Sequence, residues 1–80
     1  MTETLDAPIA QIAELVDAID DASELDRVSR DVESRVIGAM RAARQKKALE
    51  LRDQGLTWRL IGEVMGGVSA QRAEQISRGV

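Results

Sequence analysis

The sequence predicts an all-α protein, a long helical scaffold followed by a C-terminal helix-turn-helix. Three observations carry this. The apolar palette is Leu, Ile, Val, Met and Ala, with Trp58 the lone aromatic residue and Pro8 the lone proline, a composition that suits helices better than sheets. Apolar residues recur at intervals of three and four through most of the chain, the period of a helix with one buried face. Finally, Gly55 stands two residues before Thr57, and Gly66 and Gly67 stand just before Ser69, and Thr57 and Ser69 are good helix N-caps.

The first helix is predicted over about 8–20. Ile9, Ile12, Ala13, Val16 and Ile19 share one face there, and Pro8 suits the first turn. In "DDASELD", Ser23 is the expected cap of a second helix, with Asp26 three positions on in the manner of a capping box. That helix is predicted from Glu24 to about Gln54, with Leu25, Val28, Val32 and Val36 forming its stripe. The stripe continues less regularly through Met40, Ala43, Ala48, Leu49 and Leu51. At 1.5 Å per residue it would reach roughly 45 Å, too long for a small domain to cover, so part of its stripe is expected to pack on another subunit. Gly55 is the expected left-handed stop. Thr57 then caps a short helix, "WRLIGEVM", with Leu60, Ile61, Val64 and Met65 inward. After Gly66, Gly67 and Val68, Ser69 caps the last helix, about 69–78, with Ala73 and Ile76 inward. Gln71, Gln75 and Arg78 take the opposite face, beside Glu74, and Arg72 lies on the flank. Residues 1–54 thus read as an acidic scaffold suited to dimerisation, and 55–80 as the helix-turn-helix.

Eighty residues make one small domain that buries only about 60% of its unfolded surface, which favours a partner chain. The absence of cysteine and histidine removes disulfides, thiolate chemistry and the commonest metal ligand. Apolar and charged contents of 44% and 31% place the chain among folded proteins. With no long apolar run and no leader-like start, it is expected in the cytoplasm, associated with the nucleoid and away from membranes.

The net charge of −3 is unevenly spread. Residues 1–40 hold ten acids and three arginines, a balance of −7; residues 41–80 hold eight bases and four acids, a balance of +4. A local basic face sets the field that a phosphate backbone meets, so the second half is the candidate binding end.

Two short helices joined by a glycine turn, the second beginning with polar and basic side chains, fit a helix-turn-helix. The stretch "LRDQGLTWRLIGEVMGGVSAQRAEQI" resembles region 4 of sigma-70-type factors, and more closely small actinobacterial proteins that carry this motif behind a long helix. The likeness covers about residues 49–78. Two departures stand out. Leu60 replaces the usual Glu, so the capping box begun by Thr57 lacks its reciprocal half, and two glycines replace one in the turn. The resemblance implies that Thr57, Trp58 and Arg59 meet the phosphate backbone. It also implies that Ser69, Ala70, Gln71, Arg72, Gln75 and Arg78 lie in or beside the major groove. Arg can read guanine and Gln adenine through paired hydrogen bonds. Arg44, Lys46 and Lys47 add phosphate contacts if their face turns to DNA.

The expected partners are double-stranded DNA, a second copy of the chain in a homodimer, and RNA polymerase, which region 4 modules also touch. The alternative function is a helical adaptor that binds polymerase or a larger regulator through the long apolar stripe. Trp58 has a packing role as its plain reading, and the Arg41–Lys47 cluster that of a solvated helix face. The acids from Asp17 to Asp26 lack the order of a calcium loop. No catalytic constellation, metal site or cofactor motif is present in the sequence, and an enzyme is not expected.

Overall fold

The computed structural model describes residues 3–80. They form four helices, α1 (Glu3–Asp17), α2 (Ala22–Asp53), α3 (Trp58–Val64) and α4 (Ala70–Ser77). Among the described residues there is no strand, and no helix is long and apolar enough to cross a membrane. The chain divides into two compact units, one ending at Arg35 and the other Val36–Val80.

In the first unit α1 begins five residues before the expected start, which places Pro8 inside the helix. The preceding turn adds Leu5 four residues before Ile9 on the same face, while Pro8 leaves one N–H bond unmade and its ring crowds the carbonyl four residues before it. The helix ends at Asp17 instead of 20, because the chain must turn to start α2. That start is not capped by Ser23. A carboxylate oxygen of Asp21 accepts from the Glu24 backbone N–H at 2.8 Å, so α2 begins at Ala22, two residues earlier than predicted. Asp is as good a cap as Ser, and with Asp21 in that place Glu24 falls at the third helical position, a first-turn acid that the helix dipole favours. Ile12, Ala13, Val16, Leu25, Ser29 and Val32 line an open groove between α1 and the start of α2. None of residues 5–35 is buried.

In the second unit the core is Ala48 from α2, Ile61 from α3, and Ala73 and Ile76 from α4. Leu51, Leu56, Trp58, Met65 and Val68 pack around it. Ala48 makes the end of α2 a wall of the small core. Gly38 does not interrupt α2.

Gly55 stops α2 as predicted, at φ +97°. Its N–H donates to the Arg52 carbonyl at 3.0 Å and the Leu56 N–H to Leu51 at 3.2 Å, the two bonds of a Schellman cap, with Leu51 and Leu56 both packed on the core. The same device closes α4, where Gly79 at φ +80° donates to Ile76 and Val80 to Gln75.

Candidate nucleic-acid interface

The candidate site is built on α3 and α4, which pack directly on one another. Thr57 and Ser69 are both in extended backbone and both cap as predicted. Thr57 Oγ1 accepts from the Leu60 N–H at 3.2 Å, and Ser69 Oγ from the Arg72 N–H at 3.0 Å. The leucine at 60 therefore costs the reciprocal half of the capping box and leaves the Thr57 bond in place.

Both glycines of the connection are needed. Gly66 has φ +93° and Gly67 φ +76°, conformations that cost a residue with a side chain about 1–2 kcal/mol. The N–H groups of Gly67 and Val68 both donate to the Gly62 carbonyl at 3.0 Å. The first of these is the long bond of a Schellman cap, so the second glycine lets the chain fold back at the end of α3 and delivers Val68 to the core. Gly62 is buried, and a Cβ there would collide with the Val68 carbonyl oxygen and press on that of Ser69. The missing side chain at Gly62 is what permits this close approach.

On α4, Ala73, Ile76 and Ser77 are buried while Ala70, Gln71, Arg72 and Arg78 are exposed and Gln75 is half-buried. The outward face is thus the polar one predicted. Its charges are partly engaged within the helix. Arg78 Nε pairs with Glu74 Oε1 at 2.9 Å, and Arg72 Nη1 reaches Gln75 Oε1 at 3.4 Å and the Val80 carbonyl at 3.2 Å. The Glu74 carboxylate thus offsets Arg78 on this face.

Around α3, Arg59 is exposed and forms no ion pair among the described residues, whereas Trp58 is half-buried against the core. The Arg52 guanidinium lies 4.7 Å from the centre of the Trp58 ring and donates to the Leu56 carbonyl at 3.0 Å. This contact brings a cation beside Thr57 and Trp58. Its sequence signal is a base in the last turn of α2, six residues before the aromatic. On α2, Arg44 and Lys46 are exposed without an ion pair among the described residues, and Lys47 pairs with Glu50 at 3.0 Å. That pairing, led by the hydrogen bond from Lys47, holds the Glu50 carboxyl below its ordinary value. Gln45 donates to the Ser77 carbonyl at 3.2 Å and so ties α2 to the end of α4.

Among the described residues no group of three acidic, His or Cys side chains is placed to hold a metal ion. Comparison with protein families, with curated proteins and with solved structures finds no match to this chain.

Proposed function

We propose that this chain is a sequence-specific DNA-binding protein, a small transcription regulator that acts as a helix-turn-helix dimer with α4 in the major groove. The observation that carries the reading is the division of α4. Its inner side is held by Ile61, Ala73 and Ile76, and its outer side presents Gln71, Arg72, Gln75 and Arg78, the residue types that read adenine and guanine edges. Ser69 and Ala70 stand at its entry, where a groove-bound helix approaches a base or phosphate. Thr57, Arg59 and the Trp58–Arg52 pair supply the backbone contacts, and Arg44, Lys46 and Lys47 extend the positive field. The resemblance to region 4 supports the same assignment, and with it a place on the nucleoid and a contact with RNA polymerase.

The adaptor reading draws on one observation. Leu5, Ile9, Ile12 and Leu15 of α1, and Val36, Ile37 and Met40 of α2, are all at least 40% exposed, more apolar surface than a small chain leaves to water without a protein partner. Titration of binding to mixed-sequence duplex DNA against salt separates the two. A regulator loses affinity steeply as salt rises and loses it again in Arg72→Ala and Arg78→Ala. Binding indifferent to salt and to both substitutions favours the adaptor.

A further inference from the structure

We infer that a second copy of the chain covers the first unit, groove on groove, in a four-helix bundle, and that folding of this unit is coupled to the pairing. No residue from 5 to 35 is buried, and in that span only Val16, Ile19, Leu25, Val28, Ser29 and Val32 reach half-burial. A unit shorter than about 40 residues depends on a disulfide, a metal or a partner for the core it cannot build alone. The chain has no cysteine, and no group of side chains among the described residues is placed to hold a metal. A partner chain is therefore what completes the unit.

The face to be covered has the period of a bundle helix. Leu5, Ile9, Ile12 and Val16 follow one another in steps of four, three and four, which makes them one stripe of α1. Val16 is half-buried, whereas Ile12, Ile9 and Leu5 are 40%, 62% and 57% exposed. The stripe thus runs on beyond the part that α2 shelters. The open groove is lined by two small residues, Ala13 and Ser29, set among Ile12, Val16, Leu25 and Val32. Such a site takes a large apolar side chain from a facing helix, and Leu5 and Ile9, which stand outside the groove, are side chains of that kind.

Size and symmetry commit the face to a second copy. Two helices about 22 Å long and 10 Å wide offer a face of roughly 450 Å². Two such faces together hide about 900 Å² when taken as flat, and interlocking side chains carry this to the lower end of the roughly 1,200–2,000 Å² of stable pairs. A two-fold axis sets stripes and grooves of equal length against each other, so that each copy fills the other's groove. Charge does not oppose this at the stripe itself. Asp6 and Glu14 fall outside its steps, and Arg27, Arg30 and Arg35 are engaged with Glu24, Asp26 and Asp31 of their own helix. The acids at the groove, Asp17 and Glu33, and the balance of −7 on each first half act across the pair as a repulsion that salt screens. Salt should therefore tighten the pair, whereas it would loosen a basic partner chain held by the same acids. The inference rests on the dimer of the proposed function and is independent of DNA binding.

Two measurements on the full chain test it. Sedimentation equilibrium should show a dimer whose dissociation constant falls about threefold between about 0.05 and 0.5 M salt. Thermal unfolding followed by circular dichroism should show an early step, loss of the first unit, whose midpoint rises with protein concentration. A later step, followed by the fluorescence of Trp58 on the second unit's core, should not move. The double variant Leu5→Ala, Ile9→Ala sharpens the reading, because alanine is the better helix former and both side chains are largely exposed in a single copy. In a lone chain this variant keeps or gains helix; in the pair it should weaken dimerisation about tenfold and lower the early step. An early step that the double variant leaves in place, or a dimer loosened by salt, overturns the inference. A monomer in the unaltered protein overturns it too and leaves the face to a different protein. If that monomer binds DNA with steep salt dependence, the pairing fails while the assignment of α4 stands. A dimer of this kind that is indifferent to DNA does the reverse.

Discussion

The backbone carbonyl of Val68 stands where a Cβ on Gly62 would have to sit. The two residues fix how closely the end of the α3–α4 connection approaches α3, and the bonds from the Gly67 and Val68 N–H groups to the Gly62 carbonyl leave that connection little room to withdraw. Gly62→Ala is expected to destabilise the second unit by about 3 kcal/mol, the upper range for overpacking a tight contact. Chemical denaturation followed by circular dichroism measures it. A change under about 0.5 kcal/mol, the range of ordinary surface substitutions, would show that the connection yields more easily than its geometry indicates.

Gly66 and Gly67 face a different constraint. An added Cβ at either meets nothing within 4 Å, so the cost of a side chain is conformational only. Gly66→Ala and Gly67→Ala should each lower stability by about 1–2 kcal/mol. Asn, which tolerates the left-handed region, should cost less than Ala at both positions. Equal losses for Asn and Ala would locate the cost elsewhere than in φ.

Caps and stops chosen by one residue's chemistry were legible in advance: Thr57, Ser69 and Gly55 act as their types dictate. So was the inner face of α4, since Ala73 and Ile76 are three apart and every other position between Gln71 and Arg78 is polar. The start of α2 was less legible because Asp20, Asp21 and Ser23 are all competent caps, and each of them places an acid in the first turn. The role of Ala48 was hidden as well. An alanine in a stripe gives no sign of whether it is a spacer or a wall, and only the closeness of α3 and α4 to α2 makes it the latter. Pairings such as Arg52 on Trp58 and Gln45 on Ser77 join separate elements, and no local period announces them.

The ion pair between Glu74 and Arg78 leads to a prediction about affinity. If α4 enters the groove, the Glu74 carboxylate repels phosphates and holds Arg78 away from them. Glu74→Gln should tighten binding to mixed-sequence duplex DNA and steepen its salt dependence by about 0.9 in log–log slope, the contribution of one phosphate contact. Arg78→Ala should flatten the slope by a similar amount. An unchanged slope in Glu74→Gln would place this face away from DNA.

Two carboxyls, Glu24 and Glu50, are held below their ordinary value by ion pairs, which predicts an acid dependence of stability. Glu24 is held below its ordinary value of 4.5 chiefly by the hydrogen bond from Arg27, against a smaller opposing effect of desolvation, and Glu50 likewise by the hydrogen bond from Lys47. A carboxyl whose folded pKa lies below its unfolded one stabilises the fold above the unfolded value and ceases to do so as pH falls through the folded one. Both groups are exposed, so the effect is modest and screened by salt. The urea midpoint should hold from pH 7 to about pH 5 and then decline as pH drops below the ordinary glutamate range. In the Glu24→Gln, Glu50→Gln double variant the plateau should lie lower and the acid decline should be shallower. Parallel declines in the two proteins would assign the acid sensitivity to other carboxyls of the chain.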